Sequence, residues 1–367
     1  MTTPPNNPAC SGSTAYQKGC AVMRRDFVVP LLCLTVAALF LIGVAPLPVQ
    51  AAEEVVKLKY SNFFGPAHPN GVLSQEWCKE IEKRTNGKVK ISYFPGGTLT
   101  PPPQTYDSVV KGIADIGQSL AAYSAGRFLL TEVLAQPLGY TSGSQATRLC
   151  NAFYKKFKPK EFDDTKVMYI HGHPPGMLMS VKAVKTLDEF KGQRIKTNTE
   201  NMPISKAMGA APVSIPIPET YDALQKGLLD GNLLPIESLK GWKFADVIKT
   251  AIECPPMAYT APIPIVMNKD KWNSLPKDVQ ETIEKINEEW AEKQALLWDK
   301  LDKEARDFSI QKGVKILMAS KEEQVQVAEK MKAVLAEWVK KTSEKGLPAQ
   351  EALDFCIEYI KTHPSKQ

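Results

Sequence analysis

The residues best placed for chemistry in this 367-residue chain surround Lys196. Lys196 stands near the end of a short run, Arg194-Ile195-Lys196-Thr197, followed by Asn198, Thr199 and Asn201. Asn201 is placed to cap a helix that begins with Met202 and Pro203, proline being favoured at the first turn. A lysine beside a helix N-terminus suits an anion, because free backbone N–H groups and the helix dipole both favour negative charge. A lone loop lysine is ordinarily just solvated. Its position at a strand end weighs against that, since open α/β sheets bind ligands beyond the carboxyl ends of their strands. Asn232 follows Asp230-Gly231 at the exit of the next unit and is a second candidate contact.

Other chemistry is sparse. There is no GxGxxG, phosphate-binding loop, GxSxG elbow or HExxH in the chain. Of four histidines, His171 and His173 are two apart on an extended segment and could share a metal, but no third ligand has suggestive spacing. Solvated or pocket-lining histidines are the default, and His173 is taken as a pocket candidate. Phe63, Phe64, Tyr123 and Tyr221 are aromatic candidates for a ligand's body, although such residues are more often core. An exported α/β enzyme using His171 or His173 as a base is a competing class. The lack of a nucleophile–base pattern disfavours it, and no cofactor is expected. An extracytoplasmic sensor domain is a third class that would keep the same cleft.

These residues need α/β elements to hold them. The stretch 192–237 reads as strand, polar loop, helix, strand, helix and glycine stop. Part of it has an echo: Tyr221, Asp222, Lys226, Gly227 and Asp230 match Tyr106, Asp107, Lys111, Gly112 and Asp115 at one offset. Each copy ends in Lys-Gly, glycine suiting the left-handed position that closes a helix. Two such units predict two similarly built lobes. Residues 55–60 and 89–94 alternate as strands, 113–117 reads as a third, and 61–64 and 118–123 are loops at strand exits. Residues 238–250 read as helix, 254–267 as an extended return to the first lobe, and 315–318 as a short strand. From Leu275-Pro276 a helix runs to about Phe308, its apolar residues recurring at three, four and seven. At 1.5 Å per residue it is long enough to brace both lobes.

The N-terminus carries an address. Arg24 and Arg25 precede an apolar run at 27–44, then prolines and Val49-Gln50-Ala51-Ala52, the pattern of a secretory signal, with Met23 as its expected start. Cleavage near Ala51 removes three positive charges and one negative, taking the net charge from +6 to about +4. That is mild, and nucleic-acid binding has no electrostatic support. Cys78, Cys150, Cys254 and Cys356 remain, widely scattered, and are expected as buried thiols.

The motifs LDEFKGQRIK from Leu187, YDALQKGLLDG from Tyr221 with the following Pro235 and Glu237, GWKFADV from Gly241 and VMNKDKWNSLP from Val266 form a recognisable set. From about Val55 to Ile360 the chain resembles the solute-binding protein of a TRAP transporter, an ATP-independent importer of organic acids. The resemblance implies a two-lobed α/β periplasmic-binding-protein fold with a long lobe-spanning helix. It implies residues 52–172 plus 258–300 in one lobe, and 173–257 with part of 301–367 in the other, after a signal segment at 1–51. It implies periplasmic localisation, membrane-subunit partners, no membrane insertion after signal cleavage and no covalent chemistry. In that family an arginine usually ends the matching strand and forks onto the ligand carboxylate. Here the position is Lys196, with Arg194 two residues earlier and deeper in the strand. A lysine is a point charge rather than a planar fork. The polar run that often follows Asp-Gly is here Asn232-Leu233-Leu234. Both departures point to a less polar ligand or a differently held carboxylate, and the expected ligand is a monocarboxylate with an apolar or aromatic body. Lys196, Thr197, Asn198, Asn232 and the loops at 61–64 and 118–123 would enclose it.

Overall fold

Alternating and β-branched runs pair into two sheets in a computed structural model that describes residues 55–365. The strands are β1 (Val56–Asn62), β2 (Val89–Phe94), β3 (Ile116–Gln118), β4 (Thr165–Gly172), β5 (Gly176–Ser180), β6 (Arg194–Thr197), β7 (Ala211–Ser214), β8 (Gly231–Pro235), β9 (Thr250–Glu253), β10 (Pro262–Asn268) and β11 (Lys315–Met318). One sheet has the order β2-β1-β3-β10-β4 and the other β11-β9-β5-β8-β6-β7. The chain is therefore two-lobed α/β, as expected. The expected signal segment at 1–51 lies outside the described residues. Among the described residues no helix is long and apolar enough to cross a membrane.

The echo marks a shared local structure. In the first lobe the helix Thr105–Val110 ends at Lys111, and in the second Ile217–Gln225 ends at Lys226. Gly112 and Gly227 follow with φ of +71° and +67°, which glycine adopts without a Cβ clash. Asp115 then accepts the backbone N–H of Lys59 at 2.7 Å, and Asp230 that of Arg194 at 2.9 Å. The same turn thus ties the end of a helix to a neighbouring strand in each lobe, β1 in the first and β6 in the second.

Two segments join the lobes side by side: 172–176 going out and 258–262 returning. Gly176 donates its N–H to Tyr259 O at 2.9 Å, and Thr260 Oγ1 donates to His173 O at 2.7 Å. A Cβ on Gly176 would stand 2.0 Å from Tyr259 Cε1. Tyr259 is fully buried and donates its hydroxyl to Leu233 O, so it cannot swing aside. Gly176→Ala is expected to lower stability by about 1–3 kcal/mol or more, the scale of core overpacking. Thermal unfolding of the variant measures this, and an unchanged Tm would contradict it.

The helix Lys277–Gln311 has 35 residues, about 52 Å of rise. Its first turns, Val279 to Trp290, pack in the first lobe's core with Trp77 and Ile265. Trp298 and Leu301 pack between the lobes, and Phe308 packs against the second lobe's core. Residues 315–318 pair in the second sheet. The helix Lys321–Ser343 places Val327 and Met331 in the second lobe's core, while Ala349–Thr362 packs Leu353 and Cys356 in the first.

Two expected elements differ. The strand expected at 113–117 is only Ile116–Gln118. The N–H groups of Ile113 and Ala114 turn back to Ser108 O and close the preceding helix instead. The helix expected over 238–250 stops after Glu237–Gly241, because Lys243 takes φ +61° and Thr250 already belongs to β9. Cys78, Cys150, Cys254 and Cys356 are buried free thiols.

Candidate functional site

A small cavity of about 30 Å³ lies where the second lobe's β6 and β8 end against the first lobe's loops. Its apolar wall is Phe63, Phe64, Leu120, Ile217, Leu234, Ile263, Trp242 and Trp298, and its polar lining is His173, Lys196, Asn198, Glu237 and Ser238. Recesses of about 230 to 560 Å³ open elsewhere on the surface, but none is lined by Lys196. The interlobe cavity is nevertheless the chemically meaningful one, because buried polar atoms without partners gather beside it.

Lys196 is fully buried although it sits near the end of a four-residue strand. Its Nζ donates to Asn198 Oδ1 at 2.9 Å, leaving two of three N–H directions without an acceptor among the described residues. Desolvation holds its ammonium well below the usual lysine value, at about 7, with Glu200 partly offsetting this. Glu200 keeps part of its surface in solvent, yet its carboxyl group is enclosed. Burial, aided by Glu132, pushes that carboxyl up.

Asn232 stands beside Lys196 in register on the neighbouring strand, so the two side chains share a sheet face. It is completely buried, and neither its amide nitrogen nor its oxygen has a partner among the described residues. Thr197 Oγ1 is likewise unpartnered. His173 places its ring at the cavity and packs edge-on against Tyr259. Its Nδ1 faces Pro174 O at 2.6 Å, and a carbonyl oxygen can only accept, so Nδ1 carries the proton. Burial, with Lys196 nearby, lowers its pKa to about 4, so the ring is neutral at pH 7.

Other sequence candidates lie elsewhere. Tyr123 does not line the cavity. It braces the lobes by accepting the Ile217 N–H at 3.1 Å on its hydroxyl oxygen. Tyr221 packs beside the second lobe's core rather than at the cavity. Arg194 is an exposed surface residue paired with Asp230 at 2.9 Å. The helix expected to help hold an anion is the six-residue Met202–Ala207, and none of its residues lines the cavity. Asn201 does not cap it: its Nδ2 donates across the lobes to Ala135 O at 2.6 Å, a bond that outcompetes the local one. Of the loop 118–123, Leu120 reaches the cavity, while Gln118 is held by Tyr60, Asn62 and His171. His171 has both ring nitrogens engaged, Nδ1 accepting from the Trp298 indole at 3.0 Å.

Sequence reasoning missed Trp242, Trp298, Glu237, Ser238 and His68. His68 Nε2 lies 3.1 Å from Glu237 Oε1, both nearly unexposed, though off the line of a hydrogen bond. Its Nδ1 accepts from Asn70 N and its ring stands against Phe64 and Trp242. The one available signal was Trp298, eight residues after Trp290 and hence on the same helix face.

A polar, cation-bearing cleft roofed with aromatic residues between two hinged α/β lobes defines a solute-binding protein. The chain belongs to the bacterial extracellular solute-binding protein family 7 (DctP), whose family model matches residues 60–342. It is a solute-binding protein of the TRAP type. It is similar to a solved TRAP solute-binding protein from Desulfovibrio salexigens, 31% identical, with TM-score 0.74 over 85% of this chain and 98% of that one. A Bordetella bronchiseptica structure with bound (R)- and (S)-mandelate is 28% identical, with TM-score 0.77 over 84% and 99%. A Rhodoferax ferrireducens structure with copurified benzoate is 26% identical, with TM-score 0.79 over 84% and 98%.

Proposed function

We propose that this protein is exported to the periplasm, captures a monocarboxylate with an apolar or aromatic body, and delivers it to the membrane subunits of its transporter. The observation that carries the ligand class is a fully buried lysine, Lys196, lining a cavity whose other walls are mostly apolar, Phe63, Phe64, Trp242 and Trp298 among them, and whose remaining charged side chain is the acidic Glu237. One carboxylate satisfies the free N–H directions of Lys196 and the idle Asn232 amide. A second carboxylate would lose its hydration among aromatic rings and beside the Glu237 carboxylate, with no second cation in the lining to meet it. The mandelate and benzoate held by two similar proteins support the same class.

Ligand pockets usually measure roughly 300–1,000 Å³, so a cavity of about 30 Å³ is too small to admit such an acid without movement of its walls. Entry requires the lobes to part about the two joining segments. The acid then favours closure by touching both. Native mass spectrometry of protein purified without refolding should show a retained small acid. Calorimetry should show benzoate or mandelate binding more tightly than succinate or glucuronate. Tight binding of dicarboxylates or sugar acids alone would end this reading.

A further inference from the structure

His173 carries an unused acceptor. It is 5% exposed, its ring is held by the Nδ1 bond to Pro174 O and by the edge-on packing of Tyr259, and Thr260 Oγ1 holds its backbone carbonyl. With the proton on Nδ1, Nε2 presents a bare lone pair, and no donor among the described residues reaches it. A buried acceptor left unmade costs a large part of its desolvation, which a matching donor recovers. The nearby cations do not supply one. Lys196 Nζ donates to Asn198 and makes no hydrogen bond to His173 Nε2, although its charge acts on the ring.

We infer that the site reads a second feature of its ligand: a neutral hydrogen-bond donor, a hydroxyl on the acid's body, received by His173 Nε2. This rests on the reading above, in which the ligand's carboxylate sits at Lys196. The donor must be neutral because an ammonium group would set a second cation beside Lys196 in a desolvated cavity, where like charges repel strongly. A carboxylate oxygen cannot serve, since it has no proton to give to a neutral imidazole. The preferred substrates are therefore hydroxylated monocarboxylic acids. The corresponding acid without the hydroxyl leaves Nε2 buried and unpaired, which is how a polar site rejects the lesser analogue.

The test is calorimetry on the whole exported protein with two matched pairs, mandelate against phenylacetate and 3-hydroxybenzoate against benzoate. At least one hydroxylated member should bind on the order of tenfold to hundredfold more tightly than its partner. His173→Leu should abolish the preference, so that the two members bind alike. His173→Gln, whose amide oxygen can take the place of Nε2, should restore part of it. Equal or weaker binding of both hydroxylated members by the wild-type protein would overturn the inference, as would a preference that survives His173→Leu. Should the Leu variant fail to fold, the wild-type pairs still decide. If the deoxy acids bind well and Lys196→Met loses them, the carboxylate reading stands whatever His173 does. If none of the four acids binds, both readings fall.

Discussion

Lys196→Met weakens binding of the preferred aromatic acid by about 1–3 kcal/mol, the scale for stranding a charged hydrogen-bond partner. The substitution keeps the side chain's volume and removes only the ammonium group. Lys196 is fully buried with one hydrogen bond, to Asn198, so an incoming carboxylate meets donors that have already lost their water. Charge-assisted bonds in such surroundings are stronger than surface ones. The ligand-free variant should meanwhile be more stable than wild type at pH 6, because burying that charge is costly. Loss of affinity together with a raised Tm separates a binding role from a folding role. Calorimetry and thermal unfolding measure the two, and unchanged affinity would remove Lys196 from the site.

Affinity for the acid should be flat below pH 7 and fall above it, by up to about tenfold per pH unit. Lys196 has its folded value at about 7, against 10.5 for a free lysine. A bound carboxylate raises it, so above pH 7 each binding event takes up a proton. The ligand-free fold shows the opposite sense. Between about 7 and 10.5 the unfolded chain holds more protons at this residue, so its contribution to stability rises with pH across that window. His173 titrates near 4, below the range. Glu132, pushed up to about 7 by burial and by Glu161, and Glu200, pushed up by burial, lie close enough to interfere. Replacing both with Gln should leave the fall in place. A pH-independent affinity in that double variant would show that Lys196 does not carry the effect.

Much of this architecture is written locally. The repeated Tyr-Asp-x₃-Lys-Gly-x₂-Asp pattern encodes one turn twice, and the turn's hydrogen bonds involve residues within its own lobe. The apolar spacing after Pro276 encodes a helix whatever it touches. Position at a strand end identified Lys196, since a strand's polarity is a short-range property. A distant partner decides one departure from the local pattern, and left-handed or turned-back backbone decides the others. Asn201 gives up a cap for Ala135 O in the other lobe, while the helix expected through Thr250 ends where Lys243 takes a left-handed φ.

By itself the sequence determined the lobes, the long brace between them and a lysine near a strand's carboxyl end, because periodicity, caps and glycine turns act over a few residues. Tertiary structure alone decided which aromatic residues face that lysine and which acceptor is left idle. Phe64, His68, Trp242 and Trp298 come together from three separate stretches of the chain. The tautomer of His173 follows from the fold of the joining segment onto its own Pro174 carbonyl. No local pattern carries such information, because burial is a property of what the rest of the chain brings alongside.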